Sequence, residues 1–250
     1  MLRQLMMGLV AISLLSGCAG AQKAPQQEEA DSALETYNRA MFGFNDTLDT
    51  YVLRPLAQGY QWVTPELAQE GIANIFNNLG DVKTATNALL QGKFQQAAQD
   101  SGRFLMNSTL GIFGIFDVAT PFGWQRHDED FGQTLAVWGV PQGPYVVLPL
   151  LGGYQLTHAL SLAPDAYLAP IRHMDAHESA ENVALALDTV QTRAQYLNQE
   201  GLIQGDKYLF LKDAYLQRRQ FLIQDGRLEE DPFANSAEAD FDYDAEAFAD

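Results

Sequence analysis

Apolar side chains recur along much of this chain at intervals of three and four, the spacing of one helix face. Leu34, Tyr37, Met41, Phe44, Leu48 and Tyr51 make the first such stripe. It follows Ser32-Ala33-Leu34-Glu35, a capping-box pattern in which Ser and Glu satisfy the first free amides. Pro55 limits how far that helix can run. Thr64-Pro65-Glu66 then reads as an N-cap, a proline at the first helical position and an acid near the positive end of the dipole. Ala68, Ile72, Ile75 and Leu79 form the stripe behind it. Phe94–Ser108 is a further helix, with Ala97, Ser101, Phe104 and Ser108 on one side. Val183, Leu187, Val190, Ala194 and Leu197 predict another, and Tyr208, Leu211, Tyr215 and Leu222 the last, with Gly226 as its C-cap. Few segments alternate with period two, so the expected fold is all-α with no sheet. Val146-Val147-Leu148 could form a short strand, but Pro144 and Pro149 flank it closely. The simplest assignment for each stripe is the inward face of an ordinary core.

Two stretches break this pattern. Leu110-Gly111-Ile112-Phe113-Gly114-Ile115-Phe116 runs on to Pro121-Phe122-Gly123-Trp124, and Gly143-Pro144-Tyr145 runs on through Leu148-Pro149-Leu150-Leu151-Gly152-Gly153. Both are apolar and aromatic, and Gly and Pro interrupt them too often for a simple spanning helix. They fit buried loops of a globular core. They equally fit interfacial or re-entrant segments, whose non-helical backbone needs protein or a watery cavity around it.

The N-terminus changes that balance. Arg3 precedes an apolar run from Leu5 to Leu15, the pattern of a secretory signal and too short to span a bilayer. It ends in Leu15-Ser16-Gly17-Cys18, which is similar to the bacterial lipobox. That resemblance implies cleavage before Cys18 and acylation of its sulfur and new amino group. Two or more acyl chains anchor stably where one does not. Ala19 is compatible with export to the outer membrane. The expected organisation is a signal peptide over 1–17, a lipidated N-terminus and flexible tether over 18–32, a helical domain over 33–228 and an acidic disordered tail over 229–250.

Charge narrows the function. The 250 residues carry 15 basic and 32 acidic side chains, a net −17, with nine acids and no base in 229–250. The helical body carries only −7. A nucleic-acid binder would need a basic face, so no nucleic-acid partner is expected. The single cysteine excludes an intrachain disulfide framework and a multi-cysteine metal site. His127-Asp128-Glu129-Asp130 reads as a solvated helix start. His173 and His177 stand four apart but lack a third ligand, and Glu178 does not complete a zinc-protease motif. Ser108 and Ser161 lack a nucleophile-elbow context. With no phosphate-binding glycine loop either, the expectation is a non-enzyme with no metal and no cofactor.

The segments taken together resemble the MlaA (VacJ) family of outer-membrane phospholipid-binding lipoproteins. The resemblance runs from Tyr37 to about Asp225. Its carriers are Tyr37-Asn38-Arg39-Ala40-Met41-Phe42-Gly43-Phe44-Asn45, Arg54-Pro55, Ile75-Phe76-Asn77-Asn78-Leu79 and Leu89-Leu90-Gln91-Gly92. They continue with Arg103-Phe104-Leu105-Met106-Asn107-Ser108, Phe116-Asp117-Val118-Ala119, Asp130-Phe131-Gly132-Gln133-Thr134-Leu135, Trp138-Gly139-Val140 and the 143–152 stretch. The resemblance implies an all-α, ring-shaped fold in the inner leaflet of the outer membrane, with a central amphipathic channel. It implies association with a trimeric porin. It implies removal of mislocalised phospholipid from the outer leaflet and delivery to a soluble periplasmic lipid carrier. The rival expectation is an envelope lipoprotein with a structural or virulence role. Candidate channel or membrane-contact residues are Phe42, Phe44, Asn45, Arg103, Asn107, Phe113, Phe116, Asp130, Tyr145, Leu148 and Leu150. Asn45, Arg103, Asn107 and Asp130 among them suit helix caps or internal hydrogen bonds as well as a polar lining. The family often carries Arg-Asp after the Gly-Gly break, where this chain has Tyr154-Gln155-Leu156-Thr157-His158.

Overall fold

A computed structural model of the chain describes residues 25–173 and 178–226. Cys18 and the lipobox, His177 and the acidic tail lie outside the described residues. The first helix, α1, spans Pro25–Leu48. It starts seven residues before the expected Ser32 cap, so part of the expected tether is helical, and the Ser32 carbonyl accepts an ordinary bond from Thr36 Oγ1. Pro55 does not end this helix. The backbone widens into a π-helical segment at Asp49–Leu53 and continues as α2, Arg54–Val63, with Pro55 in its first turn. Proline lacks an N–H, and a change of hydrogen-bond spacing just before it accommodates the missing donor. α3 (Glu66–Leu90) starts one residue later than Thr64-Pro65-Glu66 predicts, with Pro65 itself at the cap position. α4 (Phe94–Thr109) turns back against α3 as an antiparallel pair. Beyond the 110–130 loop come α5 (Phe131–Val137), α6 (Leu156–Leu168), α7 (Glu178–Tyr196) and α8 (Lys207–Ile223). Gly226 takes a positive φ, and its amide closes onto Phe221 O, as a C-cap should.

Each helix that the periodicity predicts is present, α5 and α6 come in addition, and several of the predicted helices face the other way. Tyr37, Phe44 and Tyr51 are exposed, and the buried residue of that segment of α1 is Asn38. On α3 the stripe residues Ile72, Ile75 and Leu79 are only half-buried, while Asn78, Asp81, Thr84 and Asn87 are sealed inside. On α4 the inward face is Ala97, Asp100, Arg103 and Asn107, and Ser101 is exposed. Among the described residues, seventeen buried side chains are polar or charged and eight are apolar, six of those eight being alanine. An ordinary core is the reverse. Large apolar side chains cover the outside instead, with Trp62 88% exposed and Phe113 83%. The inward-stripe assignment therefore fails on these helices, where small and polar side chains take the interior.

The expectation of no sheet is also corrected. β1 (Tyr145–Leu148) and β2 (Gly152–Gln155) form an antiparallel hairpin, with Tyr145 opposite Gln155 and Leu148 opposite Gly152. Four-residue strands are too short for period two to register, and Pro144 and Pro149 sit just outside β1. The free edge of β1 is paired by side chains. Asn38 donates to Tyr145 O (2.9 Å) and accepts from Val147 N (2.8 Å). Asn45 does the same with Leu148 O (2.9 Å) and Leu150 N (2.8 Å). Seven helical residues rise about 10.5 Å, close to the roughly 10 Å of three strand residues, so two asparagines on one helix face can imitate a neighbouring strand. Gly153 is required where it lies, because a Cβ there would meet Tyr145 Oη at 1.8 Å.

Replacing Asn38 with alanine should leave a buried amide and carbonyl of β1 unpaired, at about 1–3 kcal/mol for each group. Thermal unfolding should show a lower midpoint for Asn38→Ala than for Asn45→Ala, whose site is only half-buried.

Candidate functional site

Two buried polar networks hold the interior. In the first, Arg103 on α4 lies 3.4 Å from Asp81 Oδ2 on α3 and 3.1 Å from Asp117 Oδ2. It also donates to Thr120 Oγ1 and to Trp124 O. One turn on, Asn107 Nδ2 donates to Asp117 Oδ1, and its Oδ1 accepts the amides of Val118 and Ala119. Arg103 and Asn107 thus stitch the loop after α4 to the helix pair. Asp81 is 1% exposed and neither oxygen has a hydrogen bond; it faces Arg103 and, at 3.5 Å, Arg126 only at ion-pair distance. Burial pushes its carboxyl up to about 6, against the pull of both guanidinium groups.

In the second network Asp130 caps α5 through the Gln133 amide and takes both outer nitrogens of Arg219 on α8, at 2.5 and 3.0 Å. Burial alone would raise Asp130, but the bonds and charge of Arg219 outweigh it and hold the carboxyl well below the usual range. His158 Nε2 stands 3.7 Å from Asp130, and its Nδ1 pairs with Tyr215 Oη at 2.9 Å. Burial lowers the imidazole to about 4. Asp165 accepts from Phe131 N and Asn87 Nδ2, joining α3, α5 and α6. The second network is the better matched, since Asp130 is fully engaged while neither oxygen of Asp81 is hydrogen-bonded. Among the described residues no group of three or more His, Cys, Asp or Glu is placed to hold a metal.

The open space lies elsewhere. A cavity of about 430 Å³ sits where α2, α3 and α7 meet. Tyr60 lines it from α2, Glu66, Gln69, Glu70, Ala73 and Asn74 from α3, and Gln191 and Gln195 from α7. Trp62, Val63 and Leu67, close in sequence to the lining residues, are exposed apolar side chains. Asn74 Nδ2 holds Ile115 O at 3.0 Å, and so brings the 110–116 loop alongside. That loop carries Ile112 and Phe113 at positive φ (53° and 57°) with their side chains outside. A β-branched residue in this region is strained; here the strain presents apolar side chains outward. No helix among the described residues is long and apolar enough to cross a membrane.

Comparison with known proteins adds an independent line. The family model for MlaA lipoprotein matches residues 30–222. The Escherichia coli (strain K12) intermembrane phospholipid transport system lipoprotein MlaA is 33% identical over 243 residues, covering 94% of this chain and 95% of the relative. The Haemophilus influenzae protein of the same name is 34% identical over 236 residues, covering 91% and 93%. A solved structure described as the structural basis for maintenance of bacterial outer membrane lipid asymmetry matches with a TM-score of 0.67 and 34% identity, over 76% of this chain and 98% of that one. The chain belongs to the MlaA lipoprotein family.

The residues singled out by resemblance to MlaA do not gather at one place. Phe42 and Tyr145 both pack edge-on against Tyr208, with ring centroids 5.4 and 6.4 Å away. Asn45, Leu148 and Leu150 meet at the hairpin, where Leu150 is 75% exposed at φ 68°. Phe44, Phe113 and Phe116 lie on the exterior. Arg103 and Asn107 share Asp117, and Asp130 belongs to the second network. None lines the cavity. The cavity residues were missed because glutamine and glutamate on a helix read as solvated surface. The one available signal was that Glu66, Gln69, Glu70 and Asn74 repeat at three and four on a single face.

The two networks predict opposite responses. Asp130→Asn should destabilise the protein by about 3–5 kcal/mol, because Arg219 is left buried without its partner. Ionised Asp81 is disfavoured in the fold, its folded value of about 6 lying above the ordinary carboxylate value. Its contribution to stability therefore improves as pH falls from 7 through 6. Thermal unfolding should show Asp81→Asn gaining on the unsubstituted protein at pH 7, with that advantage shrinking at pH 5 and lost only as the pH falls below the ordinary carboxylate value.

Proposed function

We propose that this chain is an outer-membrane lipoprotein that takes up phospholipid mislocalised in the outer leaflet and passes it to a soluble periplasmic lipid carrier, preserving the asymmetry of the membrane. The observation that carries the proposal is a cavity lined by polar residues inside a fold whose buried side chains are mostly polar and whose large apolar side chains lie outside. A phospholipid headgroup is costly in hydrocarbon and its acyl chains are costly in water, so a path for the whole molecule needs both surfaces side by side. The family membership supports the same reading, since its relatives are named for intermembrane phospholipid transport.

In this proposal acyl chains on Cys18 tether the protein to the membrane from the periplasmic side. The helices form a ring in the inner leaflet, with exposed Trp62, Phe113 and Leu150 against lipid. The cavity is part of an amphipathic channel through the ring. A trimeric porin holds the ring in place. Phe42, Phe44, Phe116, Tyr145 and Leu148 belong to the membrane contact or the channel wall. Asn45, Arg103, Asn107 and Asp130 fix the wall's shape through their hydrogen bonds. In this proposal the direction of transport comes from a partner or a concentration difference.

Deleting the gene should raise outer-leaflet phospholipid, measured with a lipase that attacks only that leaflet, and restoring it should reverse the rise. Restoring Cys18→Ser should not. An unchanged outer leaflet after deletion would favour a structural envelope role.

A further inference from the structure

We propose that His158 is an acid-sensitive latch: neutral, it fastens β2 to α8 through Tyr215, and protonated, it releases that edge of the hairpin. The latch stands apart from the transport proposal. Both edges of the hairpin are completed by side chains. Asn38 and Asn45 hold β1, and neither titrates. On β2 the Gln155 amide, opposite Tyr145, donates to Tyr215 Oη at 2.8 Å. The same oxygen lies 2.9 Å from His158 Nδ1. The imidazole is nearly parallel to the Tyr215 ring, at 11° with centroids 6.1 Å apart, and meets Tyr154 edge-on at 5.0 Å.

A phenol carries one proton, and a neutral imidazole has one donor and one acceptor nitrogen. Tyr215 Oη accepts from Gln155, so its own proton goes to His158 Nδ1, which must be the bare nitrogen. The ring proton then sits on Nε2, facing Asp130 Oδ2 at 3.7 Å. The other tautomer would turn a lone pair toward that carboxylate and leave the Tyr215 proton without an acceptor among the described residues. A second ring proton can enter only at Nδ1, where it sets N–H against O–H. The surroundings do little to offset this. Arg219 on α8 already takes both oxygens of Asp130, and Arg218 takes Asp128, the other acid near the ring. Burial first, then the charges of Arg219 and of Lys83 on α3, hold the imidazole at about 4 against the pull of Asp130 and Asp128. The latch is therefore complete above the ordinary histidine value of 6.5 and is lost as the pH falls through about 4. Release frees the β2 side of the hairpin, whose tip carries exposed Leu150 and Leu151, while the asparagines still hold β1.

The test is amide hydrogen exchange, read by NMR on the full-length protein in detergent between pH 7 and pH 4 and corrected for the intrinsic effect of pH on exchange. Protection of the Gln155 amide should fall about a hundredfold over that range, the size set by an imidazole that returns from about 4 to 6.5 on release. Val147, whose amide Asn38 holds, should keep its protection. His158→Asn offers Tyr215 an acceptor that does not titrate, and should make Gln155 protection independent of pH. Tyr215→Phe should leave Gln155 poorly protected throughout. Nitrogen-15 shifts of the imidazole at pH 7 should show Nδ1 bare and Nε2 protonated. A proton on Nδ1 would overturn the proposal. So would steady Gln155 protection down to pH 4, or a parallel fall at Val147, the mark of general acid unfolding. Loss of Gln155 protection in His158→Asn at the same pH as in the unsubstituted protein would overturn it too.

Discussion

The guanidinium of Arg219 clasped by Asp130 is the contact on which much of the interior depends. Both groups are nearly sealed from solvent, and each would be costly alone. Their pairing fixes α8 against the start of α5. The same carboxylate caps that helix, and through Asp165 and Asn87 the order extends to α3 and α6. Arg103 performs the matching task at the other end of the α3–α4 pair. With an apolar core that is largely alanine, shape comes from matched donors and acceptors more than from hydrophobic filling. Such networks tolerate few alternatives, which suits a scaffold that must hold a cavity open.

This division of labour fits a lipid surrounding. Where the outside is hydrocarbon, apolar side chains gain little by turning inward, and helices associate through close packing and polar contacts. The strained Ile112–Phe113 turn and the Leu150 tip then have a role. Both push large apolar groups outward from backbone that Asn74, Asn107 and Asn45 hold from within. The cavity adjoins the first of these, since Asn74 of its lining holds Ile115 O.

Much of the secondary structure was legible in the sequence, because spacing of three and four reports a helix whatever surrounds it. Direction was not legible. The stripe Tyr37–Phe44–Tyr51 and the row Asn78–Asp81–Thr84 each have helical spacing, and only the solvent decides which faces in. Helix ends were less secure where no side chain performs the cap, as at Pro65, or where a π segment carries the chain past a proline, as at Pro55. Val146-Val147-Leu148 hinted at one strand, but the hairpin was not legible because its edge is completed by asparagines more than a hundred residues away, a pairing no local pattern can carry. The ordered motifs identified the family, and the lipobox pointed to the membrane. The cavity came only from the meeting of three helices, whose individual Gln and Glu residues look like ordinary surface.

The central claim is that the apolar exterior faces lipid. Trp62 is the most direct reporter. With Trp124→Phe and Trp138→Phe it becomes the sole tryptophan of the chain. In vesicles its fluorescence should be quenched by lipids brominated along their acyl chains and protected from aqueous iodide. Ready quenching by iodide, with no effect of the brominated chains, would place this surface in water and contradict the account.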